Sequence, residues 1–231
     1  MDVLVAGAGP VGLMAAYELL RRGVSVRIVD AASGPATTSR AAAVHARTME
    51  VLDQVGLYEA FAARAVHGKG IAFHADGQLL ASMDARFTTH ATRFDQVWFL
   101  DQVITEQLLR DAVTGLGGRI EWGVRLTGFD ETDDRLDVTL EHADGHCEQV
   151  AVPWLIGADG GHSEVRRRLG ITLQGDSSET WLIADADLDF VDPVSHDRIR
   201  WVRTDGATTM IFPLVGDRRW RLLDTADVNH D

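Results

Sequence analysis

Asp2 to Ala6 is a short apolar, β-branched run that stops at a glycine turn and gives way to an apolar-periodic segment, Val11 to Arg22. That order predicts strand, turn, helix. Gly23 behind the basic pair Arg21 and Arg22 marks the helix end, and Val24 to Val29 predicts a second buried strand closing on Asp30. The three pieces make one βαβ unit. Ala41 to Gly56 carries Val44, Met49, Val51, Leu52 and Val55 at helical spacings and predicts a helix. Ile71 to Phe99 has a mixed, strand-like pattern with a turn at Asp76-Gly77. Thr105 to Leu116 predicts another helix, ended by Gly117-Gly118. Strands follow at Arg119 to Gly128 and Leu136 to His142, with a hinge at Asp144-Gly145. Val150 to Ala158 predicts one buried strand running into Asp159-Gly160, ahead of a basic helix from Ser163 to Leu169. From Thr180 onward short alternating runs dominate: Trp181 to Leu188, Arg198 to Arg203, Thr208 to Leu214 and Arg219 to Asp224. They predict an antiparallel sheet. The chain thus shifts near Gly170 from α/β character to a meander, which marks a domain change.

Composition narrows the class of partner. With 45% hydrophobic and 25% charged residues, 22 Gly and 5 Pro, the chain is ordinary globular material. Its net charge of −13 repels nucleic acid and anionic lipid, so neither is an expected partner. No apolar run approaches the ~20 residues of a membrane span. The single Cys147 permits no internal disulfide. Together with a start that lacks a basic flank and signal-peptide pattern, it points to a reducing, cytoplasmic setting.

Gly7-Ala8-Gly9-Pro10-Val11-Gly12 has the G-x-G-x-x-G spacing, directly after a predicted strand and at the opening of a helix. Asp30 lies 18 residues beyond Gly12, at the end of the second strand. That context is the dinucleotide-binding fingerprint. Gly7 permits the tight turn, Gly9 lets a pyrophosphate approach the backbone, and Gly12 lets helix and strand pack closely. The pyrophosphate would sit at the helix N-terminus, and Asp30 would accept hydrogen bonds from an adenosine ribose. The plainer alternative is a glycine turn with a solvated Asp. The fingerprint alone does not separate FAD from NAD(P).

Two further segments do. Ser39-Arg40-Ala41 with His45-Ala46-Arg47-Thr48-Met49-Glu50, and Gly157-Ala158-Asp159-Gly160-Gly161-His162-Ser163-Glu164-Val165-Arg166, resemble motifs of the single-component flavin-dependent aromatic and polyketide hydroxylases, the para-hydroxybenzoate hydroxylase-like group. Gln102 with Glu106 matches a looser third element. The resemblance spans essentially the whole chain. It implies an α/β fold with a Rossmann-like, glutathione-reductase-like FAD-binding domain made of residues 1–70 and 98–172. It also implies an antiparallel substrate-domain sheet, C-terminally incomplete, drawn from 71–97 and 173–231. FAD would be the cofactor, NAD(P)H a co-substrate with O₂, and a small aromatic or polyketide-type molecule the substrate. By the same resemblance Arg40 contacts the FAD phosphates and Gln102 lies near the ribityl chain and pyrophosphate. Asp159 and Gly160 serve FAD, in a segment that also helps position NAD(P)H, and Arg166 carries over to the same region.

Other constellations are weaker. His142, His146 and Cys147 flank a turn without a second cluster and are better read as a solvated loop than as metal ligands. Ser163 lacks a nucleophile elbow and is better read as a helix N-cap. Arg166, Arg167 and Arg168 predict a largely solvated face, and the six tryptophans are scattered and predict core positions. Nothing between Leu214 and Asp231 resembles the Gly-Asp-Ala-Ala-His segment that completes the flavin site in the family. The expectation is therefore the first part of such an enzyme, not active by itself. A nucleotide-binding remnant, a regulatory subunit or another glutathione-reductase-like flavoprotein stays open as an alternative, as does completion by another chain or a second copy.

Overall fold

The computed structural model describes residues 1–38, 41–84, 92–175, 181–191 and 193–224. In chain order the elements are β1 (Val3–Ala6), α1 (Pro10–Leu20), β2 (Val26–Asp30), β3 (Ala43–Val44), α2 (Ala46–Gln54), α3 (Tyr58–Ala62) and β4 (Val66–His67). Next come β5 (Gly70–Ala75), β6 (Gln78–Asp84), β7 (Trp98–Phe99), α4 (Gln102–Gly115), β8 (Ile120–Trp122), β9 (Val124–Glu131) and β10 (Leu136–His142). The chain continues through β11 (Cys147–Val152), β12 (Trp154–Gly157), α5 (Glu164–Arg168), β13 (Leu182–Asp187), β14 (Arg198–Thr204), β15 (Ala207–Pro213) and β16 (Arg219–Asp224). They divide into two compact units, Met1–Thr38 with Val103–Gln174, and Ser39–Gln102 with Gly175–Asp231.

The first unit is built on a four-stranded parallel sheet in the order β12-β1-β2-β8. All four residues of β1 are buried. Because strand side chains alternate, this requires cover on both faces. On one face Leu4, Ala6 and Val29 pack into a cluster with Leu126, Val138 and Leu140 of the antiparallel meander β9-β10-β11. Helix α1 also packs against β1 and β2, and its Leu13 and Ala16 are fully buried. Each fully buried Leu or Val contributes about 1.5–3 kcal/mol, so this double burial holds the strand ends that carry the site.

Two single residues redirect the chain here and correct the expected strands. The run 119–128 is not one strand: Gly123, at φ +71°, turns the backbone between β8 in the parallel sheet and β9 in the meander. The run 150–158 is likewise two strands. Pro153 has no N–H to extend the β10–β11 ladder, and beyond it Trp154 pairs with Val3 as the start of β12.

The second unit contains a six-stranded sheet, β13-β16-β15-β14-β5-β6, and a small sheet, β3-β7-β4. The six-stranded sheet joins the 70–84 and 182–224 stretches. It is not wholly antiparallel, because β14 runs parallel to β5, with Arg200 opposite Ala72. The helix expected from Ala41 starts at Ala46 instead. Ala43 and Val44 pair with Phe99 and Trp98, and this ladder overrides their helical spacing. Tyr58 packs its ring 4.9 Å from that of Trp98. The tryptophans also depart from expectation: Trp98 and Trp220 are buried, but Trp154, Trp181 and Trp201 are exposed at 69, 49 and 41%.

Candidate functional site

The carboxyl ends of β1, β2 and β12 lie side by side, and the backbone ladder runs just past them. Gly7 N–H donates to the Val29 carbonyl and Ala158 N–H to the Ala6 carbonyl, each at 2.8 Å. At this edge opens a cleft of about 480 Å³, lined among others by Gly7, Gly9, Asp30, Ala31, Thr127, Asp159 and Gly160. Ligands of open parallel α/β sheets bind at this edge.

The glycines of the fingerprint separate by what a side chain would meet. A Cβ on Gly7, whose φ is +108°, would fall 2.2 Å from the Ala158 carbonyl oxygen. One on Gly12 would fall 1.9 Å from the Gly7 carbonyl oxygen. Both glycines are therefore demanded by the fold. Gly9 is different: its backbone is extended at φ −74°, ψ −177°, and a Cβ there would meet nothing within 4 Å. It lines the cleft as the N-cap of α1, where no side chain caps the helix and no acidic residue stands in the first turn. An uncapped helix N-terminus facing open space suits an anion.

Asp30 ends β2, and its Oδ2 accepts from Ala8 N–H at 2.6 Å while Oδ1 accepts from Ala32 N–H at 2.8 Å. The carboxylate thus braces the glycine turn, and its remaining lone pairs are available to a hydroxyl donor. Asp159 lines the same cleft but is turned toward α5. Its Oδ1 accepts from the Ser163 hydroxyl at 2.5 Å, and its Oδ2 from the backbone N–H of Glu164 at 2.6 Å and of Val165 at 3.3 Å. Ser163 is the N-cap expected from the sequence, accepting from Arg166 N–H at 3.0 Å. Gly160, at φ +77°, makes the left-handed turn between them.

Gln102 belongs to the second unit, where it opens α4 and donates its N–H to the Ala41 carbonyl at 3.2 Å. Arg40 lies outside the described residues. Arg167 and Arg168 are exposed, in keeping with a solvated face, yet hydrogen bonds anchor the run. Arg166 donates to the Gly161 carbonyl at 2.9 Å and Arg168 to the Thr127 carbonyl at 2.7 Å, which fastens α5 to β9. Sequence reasoning missed the wall supplied by β9, where Arg125 and Thr127 line the cleft. Val124 and Leu126 line it too, so the alternating burial along the strand does not by itself mark a cleft wall.

Beside the cleft, Arg27 explains a charge in a buried strand. It donates to both oxygens of Glu121 at 2.7–2.8 Å and to both of Glu148 at 2.8–2.9 Å. Hydrogen bonding from Arg27, against the opposing cost of burial and with help from His142, holds the Glu148 carboxyl down at about 2. His142 is thus a hydrogen-bond partner of Glu148 at 2.9 Å, and no group of His, Cys, Asp and Glu that could hold a metal occurs among the described residues.

A family model described as an FAD binding domain matches residues 1–230. The chain belongs to this family. Among relatives of the FAD binding domain chain, 6-methylpretetramide 4-monooxygenase of Streptomyces rimosus is 47% identical over 224 residues, 97% of this chain and 40% of the relative. The 12-dehydrotetracycline 5-monooxygenase/anhydrotetracycline 6-monooxygenase of the same species is 38% identical over 80% of this chain and 36% of its own length. The chain therefore spans well under half the length of these relatives. Among solved structures, p-nitrophenol 4-monooxygenase from Pseudomonas putida superposes with a TM-score of 0.86 at 26% identity, over all of this chain and 58% of that one. A ternary complex of aklavinone-11 hydroxylase with FAD and aklavinone gives 0.81 at 27% identity, over 98% of this chain and 46% of that one. No helix among the described residues is long and apolar enough to cross a membrane.

Proposed function

We propose that these residues are the FAD-holding and substrate-facing part of a monooxygenase that uses NAD(P)H and O₂ to hydroxylate an aromatic or polyketide-type small molecule. The observation that carries the reading is the cleft itself, where the uncapped α1 terminus, the open space at Gly9 and the Asp30 carboxylate converge at the carboxyl edge of the parallel sheet. Its chemistry fits FAD. The α1 terminus and the Gly9 backbone would receive the pyrophosphate, and Asp30 the ribose hydroxyls. Arg40 would add a planar, bidentate contact to phosphate, and Gln102 a polar contact toward the ribityl chain. Asp159 would act by holding the Gly160 turn against the cofactor and NAD(P)H. When bound, FAD supplies the redox chemistry, accepting hydride from NAD(P)H and activating O₂. The protein's part is to bind, orient and keep water out. The names of the relatives, monooxygenases of 6-methylpretetramide and of anhydrotetracycline, support an aromatic or polyketide-type substrate for the six-stranded sheet to face.

The test is reconstitution. The purified chain is incubated with FAD, passed through a desalting column and scanned in the visible range. Retained oxidised-flavin absorption at one equivalent per chain is expected. Protein that emerges colourless at micromolar FAD would refute the reading.

A further inference from the structure

The cleft at the carboxyl edge does not stop at Asp30. Beyond it lies a second cavity of about 310 Å³, lined by Ala31, Ser33, Gly123, Glu141 and His142 among others. That volume is within the about 300–1,000 Å³ range of small-molecule pockets. The two cavities share two residues, Ala31 and Arg125. Arg125 is the second residue of β9, between the buried Val124 and Leu126, and its side chain is exposed.

The Arg125 side chain differs from the neighbouring arginines of β2 and α5 in having no polar partner among the described residues. Arg27, Arg166, Arg167 and Arg168 in the same unit are all engaged by carboxylates or carbonyls. The Arg125 guanidinium makes no hydrogen bond or ion pair with the described residues, although Glu141 stands directly opposite it in the β9–β10 ladder. A guanidinium unpaired with the carboxylate-bearing residue opposite it, at the junction of two cavities, presents a flat cationic face to whatever enters. Such a face binds aromatic rings by stacking, without needing a counter-charge.

We propose that Arg125 is a cofactor-positioning residue whose guanidinium lies flat against the purine of a bound adenine dinucleotide. This rests on the cleft being the FAD site. Asp30 and Ala31 are consecutive, so a ribose held at Asp30 delivers its base into the cavity that begins at Ala31. Arg125 forms the partition there. The residue thereby selects for the adenosine half of the cofactor and for a planar base.

Calorimetric titration of the whole chain with FAD and with ADP, for the parent, Arg125→Leu and Arg125→Lys, tests this. Arg125→Leu should weaken both ligands by about 5–20-fold, the range for a partly desolvated cation on an aromatic face. Arg125→Lys should recover only a minor part of that loss, because an ammonium keeps the charge without the plane. Thermal midpoints should match the parent, since the side chain braces nothing. Arg125→Gln repeats the measurement should the leucine variant fail to fold. Parental ADP affinity in Arg125→Leu overturns the proposal while leaving the FAD reading standing. Full rescue by lysine also overturns it, by reducing the residue to a bare charge. A parent that takes up neither FAD nor ADP overturns the FAD reading and the role of Arg125 together.

Discussion

Arg27 on β2 and Glu148 on β11 meet as a two-pronged pair, Nη1 to Oε1 at 2.8 Å and Nη2 to Oε2 at 2.9 Å, and so tie the parallel sheet to the meander. The Glu148 carboxyl, ordinarily near 4.5, is held at about 2 by this contact. A depressed folded value means the contribution is complete above the unfolded value and is lost as pH falls toward the folded one. Chemical denaturation of the parent should therefore weaken between about 4.5 and about 2, and Glu148→Gln should flatten that part of the profile. Identical acid limbs in the two proteins would refute the role of the pair.

The glycine motif predicts a split between folding and binding. Gly9→Val should unfold at close to the parental temperature, because its Cβ points into open space, yet lose at least about tenfold in FAD affinity by obstructing the α1 terminus. Gly7→Ala and Gly12→Ala should each cost about 1–3 kcal/mol or more in stability, since their side chains would collide with backbone carbonyls. Differential scanning calorimetry with parallel FAD titrations separates the two classes.

Asp30 serves two purposes, and two substitutions divide them. Asp30→Ala should weaken ADP binding by roughly 1–3 kcal/mol and also destabilise the apo chain, because Ala8 and Ala32 N–H lose their acceptor. Asp30→Asn retains one amide oxygen, so it should recover part of the stability and less of the affinity. An alanine variant that equals the parent in both measurements would remove Asp30 from the site.

Asp159 and Ser163 both satisfy the opening turn of α5. Ser163→Ala should cost about 1 kcal/mol, the usual loss of an N-cap, and Asp159→Ala at least as much, because it leaves the N–H groups of Glu164 and Val165 and the Ser163 hydroxyl without an acceptor. Amide exchange across 160–166 is the sensitive readout, and faster exchange in both variants is expected.

The parts of this fold that were legible in the sequence are those in which local pattern and tertiary need agree. β1, the glycine turn, α1 and β2 combine apolar periodicity, a helix-ending glycine at Gly23 and a buried face, so each signal reinforces the next. The failures cluster where one residue hands the chain from one sheet to another. Gly123 and Pro153 sit inside apolar runs, and periodicity cannot show that the strands on either side have different partners. The Ala43–Val44 ladder depends on Phe99 and Trp98, more than fifty residues away. Of the residues that line the cleft, Gly7, Gly9 and Asp30 stood out by spacing. The β9 wall did not, because its residues join the cleft only through the fold. Asp159 was found for its position, but its hydrogen bonds to α5 needed coordinates.

One further consequence comes from β12. It is an outer strand of the parallel sheet, and its first residue, Trp154, is 69% exposed and lines an apolar hollow with Val3, Leu19 and Val24. An open strand edge beside exposed aromatic surface is a template for pairing with another chain. Produced by itself, this polypeptide should self-associate through that side, and its yield in soluble form should depend on concentration. Introducing a charge at Trp154 is the simplest remedy: Trp154→Lys should keep the preparation monodisperse in light scattering without touching the nucleotide cleft.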